Sequence, residues 1–90
     1  MLWTGIRQYP FRMKRTFQEK AAISKKIGLN IRALRNSRGW SQAQLAEKAN
    51  IHETYVGFLE TGTRNVTAYM LVRFSRALNC KPSDLFKGIS

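Results

Sequence analysis

From Ala22 onward the apolar positions of the chain fall into a helical rhythm. Ile23, Ile27, Ile31 and Leu34 recur at three- and four-residue spacing and predict a first helix over about 22–38 with these four as its buried stripe. Gly28 within it costs a little helical stability, and Gly39 just beyond is the expected left-handed terminator. Leu45 and Ala49 share one face of a second helix over 42–49, for which Ser41 is a good N-cap and Trp40 an apolar staple at the entrance. Val56 and Leu59 share one face of a third helix over 52–60, which Gly62 ends. Ala46 falls where the second and third axes cross closely. Asn50 holds the turn between them, as the non-glycine residue that best tolerates a left-handed backbone. Thr67 caps a fourth helix over 68–78, with Leu71, Phe74 and Leu78 as anchors, Ser75 on the inner face and Asn79 as terminator. Pro82 suits the first position of a fifth helix over 82–87, where its missing N–H is not needed. The expected product is five short helices and no strand.

Residues 1–15 show no such period. Arg7, Arg12, Lys14 and Arg15 alternate with Trp3, Tyr9 and Phe11, while Pro10 and Gly5 oppose a continuous helix. The segment reads as a flexible basic arm, with residues 16–90 as the folded domain. Such an arm either tracks phosphates and enters a minor groove, or is a tail or upstream extension, with Met13 a second possible start. Thr16 and Glu19 fit a capping box from which a helical turn can begin.

Charge narrows the class. Sixteen Lys and Arg against five Asp and Glu give a net charge of +11 over 90 residues, which favours a polyanionic partner. A chain this short buries only about 60% of its unfolded surface, so association with a second copy would add needed burial. Cys80 and His52 are the only residues of their kinds. Neither a disulfide framework nor a His/Cys zinc site can be assembled, and no cofactor is expected. The lone cysteine suits a reducing compartment, and with no apolar run long enough for a membrane span and no signal peptide, the cytoplasm is the expected location. No paired carboxylates, nucleophile–base pair or Gly-rich phosphate loop appears. Glu47, Glu53, Glu60 and Asp84 are scattered among helices, with capping or packing roles available to Glu60 and Asp84. An enzyme is not indicated.

The spacing of the second and third helices is the helix-turn-helix signature, in which the second of the pair enters the DNA major groove. Ser41-Gln42-x-x-Leu45-Ala46, Ile51, Val56, Leu59-Glu60-x-Gly62, Arg64-Asn65 and Pro82-Ser83-Asp84-Leu85-Phe86 together resemble the Cro/C1-type DNA-binding family. That family includes lambdoid phage repressors and the controller proteins of restriction-modification systems, and the run His52-Glu53-Thr54-Tyr55-Val56-Gly57 looks closest to the controllers. The resemblance covers about Ile27 to Phe86. It implies an all-α, compact five-helix lambda-repressor-like domain with its helix-turn-helix at helices 2 and 3.

Double-stranded DNA is the implied partner. Ser41 and Gln42 open the second helix, whose terminus favours a phosphate. In the family the glutamine position contacts the backbone and can brace the recognition helix. Glu53 and Thr54 start the third helix, where base edges are read. Thr54 offers a hydroxyl and a methyl. Glu53 departs from the arginine common in controllers: it either accepts from a cytosine N4 amine, or orients Arg35 or another arginine. Arg35 and its basic neighbours on the first helix either touch the DNA backbone or are simply solvated. Tyr55 matches a controller tyrosine that either meets a phosphate or half-buries its ring. Phe58 faces outward and rests either on thymine methyls or on the adjoining loop. Arg64 and Asn65 match a family pair that reaches the backbone and sometimes a base.

Tyr69, Val72, Leu85, Phe86 and Ile89 are apolar residues left over after the core is filled, and they predict a homodimer interface. The leading expectation is a transcriptional regulator binding a palindromic operator as a homodimer, with a controller-type autoregulator as one version. An antitoxin, a phage-type repressor or a protein-interaction module reusing the fold are the alternatives. Ninety residues leave no room for a ligand-binding domain, so no small-molecule ligand is expected.

Overall fold

The computed structural model describes residues 2–89, with side chains described from Gln18 to Ile89. It contains α1 (Leu2–Ser37), α2 (Gln42–Ala49), α3 (Glu53–Thr61), α4 (Ala68–Ala77) and a 3₁₀ helix (Pro82–Phe86), with no strand among the described residues. Two expectations are corrected. The fifth element is a 3₁₀ turn rather than an α-helix: Asp84 Oδ2 accepts from Lys81 N at 2.9 Å, and Gly88 takes a positive φ two residues beyond Phe86. The first helix starts at Leu2, not near Ala22, so both the expected arm and the Thr16–Glu19 capping box lie inside it. One proline removes a single backbone hydrogen bond and bends a helix, and helical chain can continue on both sides of it.

The caps are where local chemistry put them. Gly39 (φ 71°), Asn50 (φ 56°), Gly62 (φ 75°) and Asn79 (φ 54°) all adopt the left-handed conformation that closes a helix. Ser41 Oγ accepts from Gln44 N at 3.1 Å while Gln44 Oε1 accepts from Ser41 N at 2.8 Å, a complete capping box. Thr67 Oγ1 accepts from Met70 N at 3.2 Å. His52 proves to be the cap of α3 rather than its first residue, its Nδ1 accepting from Thr54 N at 3.2 Å.

Ile27, Ile31, Leu45, Val56, Leu59 and Phe74 form the centre of the core, joined by Leu78 and Leu85. Each such side chain contributes about 1.5–3 kcal/mol by leaving water. Three positions differ from the expected pattern. Ile23 is 40% exposed, lying between two shallow surface depressions that it lines with Asn65 and Val66 on one side and Gly88 and Ile89 on the other. Met70 rather than Leu71 is the buried residue in the first turn of α4, one turn before Phe74. Leu85 is fully buried, so it belongs to the core and cannot line a dimer interface.

Two contacts set the pose of the helix-turn-helix. At Gly28 an added Cβ would lie 2.1 Å from the Leu59 carbonyl oxygen and 2.7 Å from that of Glu60. At Gly62 one would lie 2.6 Å from Lys25 Cα. The backbones of α1 and the end of α3 therefore touch directly, and Gly28 serves close approach rather than merely being tolerated. On the other side, Arg73 of α4 reaches the α2–α3 turn. Its Nε donates to Ala49 O and its Nη2 to Asn50 O, both at 3.1 Å, and its Nη1 donates to the Tyr69 hydroxyl at 2.7 Å. Carbonyls at the end of α2 are thereby satisfied by a cation from α4. Asn30 Nδ2 donates to Leu85 O (2.8 Å) and Lys87 O (2.9 Å), pinning the 3₁₀ helix to α1.

Candidate nucleic-acid interface

Behind α3 lies a buried polar brace. Arg35 is 8% exposed and Glu60 5%. Arg35 Nε donates to Glu60 Oε2 at 2.6 Å, Nη2 to Glu60 Oε1 at 2.9 Å, and Nη1 to Trp40 O at 2.8 Å. The two-pronged pair raises the Arg35 guanidinium further above its ordinary range, chiefly through the hydrogen bonds to Glu60 and against the effect of burial. Arg35 is therefore withdrawn from the DNA-binding set. Its charge is held inside, and Glu60, not Glu53, is the carboxylate that orients it. No described buried side-chain polar atom is left without a partner.

The brace extends to the surface through Gln42. Its Nε2 donates to Glu60 Oε1 at 3.1 Å, tying the start of α2 to α3. In front, an open depression of about 840 Å3 is lined by Gln42, His52, Glu53, Thr54, Gly57, Phe58, Thr61 and Thr63. Glu53, Thr54 and Phe58 are exposed there, with Gly57 giving a low floor beside Gln42. His52, Gly57, Thr61 and Thr63 are the members outside the expected set of DNA contacts. A histidine immediately ahead of a helix start was available as a cap signal for the first.

The other expected contacts sit as follows. Ser41 is exposed beside Gln42. Tyr55 is half-buried, its ring packed on the core. Arg64 lies over the Phe58 ring, 4.8 Å from its centroid. Asn65 turns away towards α1, where its Oδ1 accepts from Ser24 Oγ at 2.8 Å. Of the proposed dimer residues, Tyr69 (66%) and Phe86 are exposed, and Val72 and Ile89 are half-buried. Leu29 on α1 is a further exposed apolar side chain. Cys80 is half-buried, and burial pushes its thiol up, away from the nucleophilic thiolate. Among the described residues no group of His, Cys, Asp and Glu could hold a metal, and no helix is long and apolar enough to cross a membrane.

Two short helices joined through the left-handed Asn50, with Ala46 buried in the first and the second capped, braced from behind and open in front, define a helix-turn-helix unit. The helix-turn-helix family profile matches residues 31–85, and the chain belongs to that family, of Cro/C1 type, whose members are DNA-binding transcriptional regulators and not enzymes. Among curated relatives it is 42% identical over 57 residues to the control protein C.SmaI of Serratia marcescens, covering 63% of this chain and 68% of that protein. It is 39% identical over 60 residues to the control protein C.BamHI of Bacillus amyloliquefaciens, covering 66% of this chain and 74% of that protein. Among solved structures, the restriction-modification controller protein C.AhdI of Aeromonas hydrophila superposes with a TM-score of 0.70 at 37% identity, over 72% of this chain and 98% of that one.

Proposed function

We propose that the chain is a controller-type transcriptional regulator of a restriction-modification operon, acting in the cytoplasm on duplex DNA. It binds a palindromic operator as a homodimer, with α3 in the major groove of each half-site. The observation that carries this reading is the division of α3 into a braced rear and an open front. Arg35, Glu60 and Gln42 fix the helix, leaving Glu53 and Thr54 free to meet base edges, with Phe58 exposed beside them. The likeness to the two control proteins supports the controller assignment. Ser41 and Gln42 meet a phosphate at the start of α2, Tyr55 meets the backbone, Arg64 reaches the DNA from the loop that follows α3, and Asn65 supports that loop. Tyr69, Val72, Phe86 and Ile89 supply the contact between copies.

Selection from a randomised duplex pool, followed by sedimentation at micromolar protein, tests the proposal. The expected result is an inverted repeat with half-sites about one helical turn apart, bound by a dimer. Absence of any enriched sequence, or a monomer both with and without DNA, would overturn it.

A further inference from the structure

Phe58 and Arg64 form a unit at the edge of the candidate DNA face. Phe58 is 38% exposed and lines the depression in front of α3. Its carbonyl accepts from Thr63 N at 3.0 Å, and the hydroxyls of Thr61 and Thr63 both lie 3.1 Å from the same oxygen. Gly62 reverses the chain between these threonines. The backbone of Phe58 thus anchors the loop, and its ring receives the guanidinium that the loop carries, 4.8 Å from the ring centroid. Among the described residues no carboxylate is paired with Arg64.

An arginine on an exposed loop samples many rotamers and loses them on binding. Stacking on an aromatic face restricts that freedom beforehand and leaves the in-plane N–H edge for a partner. We infer that Phe58 is a positioning residue for Arg64, holding its guanidinium over the rim of the depression, oriented for a pair of acceptors on DNA. The pair is either two phosphate oxygens or the O6/N7 edge of a guanine. This inference rests on the DNA-binding reading above and assigns Phe58 a role through Arg64 rather than a base contact of its own.

A double-mutant cycle on the duplex selected by the unaltered chain tests it. Phe58→Leu keeps an apolar side chain without a π face, and Phe58→Tyr restores the face. The expected results are a roughly three- to fivefold loss of affinity for Phe58→Leu, the size of an exposed cation–π contact, and near-normal binding for Phe58→Tyr. Phe58→Leu should have no further effect when Arg64→Ala is already present. Within the cycle, Arg64→Ala separates the two acceptor sources. A salt dependence flattened by about one log–log unit per protomer marks phosphate, and loss of preference at one base pair marks guanine. An equal loss from Phe58→Leu in both backgrounds, or full binding by Arg64→Ala, overturns the inference. Should Phe58→Leu lower the melting temperature, the cycle is run with Phe58→Met. Failure of the unaltered chain to enrich any duplex overturns the proposed function instead.

Discussion

The inner and outer sides of α3 use arginine in opposite ways. Inside, Arg35 donates two hydrogen bonds to Glu60 and one to the Trp40 carbonyl, and its charge is neutralised within the fold. Outside, Arg64 rests on an exposed ring and keeps its charge at the surface. Both count equally in the net charge of +11. Only the second can steer or hold a polyanion, since a cation paired at close range inside the domain adds almost nothing to the field outside it. Net charge thus identifies the class of partner without identifying the residues that meet it.

The comparison is broken most forcefully from the inside. Glu60→Ala leaves Arg35 buried and unpaired, and the expected loss is about 3–5 kcal/mol, or more than ~10 °C in melting temperature for a domain this small. A melt within a few degrees of the unaltered chain would show that Arg35 swings out to water and that the two arginines are alike. Next in size, Leu85→Ala should cost about 2–5 kcal/mol of stability by opening a cavity. Urea unfolding should register the loss at protein concentrations where the chain is monomeric. An unchanged midpoint there, with weakened self-association, would return Leu85 to the interface. On the outer side, Glu53→Ala should leave the melt within about 0.5 kcal/mol of the original. It should also remove ~1–3 kcal/mol of discrimination at one base pair per half-site, read by titrating single-base variants. Retained preference would reduce Glu53 to a bystander. The smallest effect belongs to residues 1–12: a chain beginning at Met13 should keep its melting temperature, and a fall of many degrees would mean that the upstream part of α1 packs on the domain.

Much of the fold is legible because its signals are local. Ser41, Asn50, Thr67 and Asn79 act within a turn of their own position, and side-chain chemistry alone places them. The brace is not local, yet it left a trace. Arg35 continues the four-residue series Ile27, Ile31, and Glu60 stands four residues after Val56, so two opposite charges occupy the apolar stripes of facing helices. Read as a pair they identify each other; read singly each looks like a surface charge. Arg73 left no trace, because the carbonyls it satisfies belong to a turn far away in sequence. The reach of α1 is hidden for a different reason: Pro10 weakens one turn without ending the helix.

The direct backbone contact at Gly28 and Gly62 has a bearing on how such a reader can change its target. The seating of α3 is secured at two positions that accept no side chain, where its end meets the α1 backbone. Glu53, Thr54 and Arg64 are exposed and take no part in the core. On the proposed DNA-binding reading, drift or deliberate randomisation at those three explores new operators from a fixed mount. Duplicated copies of the gene would diverge in what they read well before they diverge in how they fold.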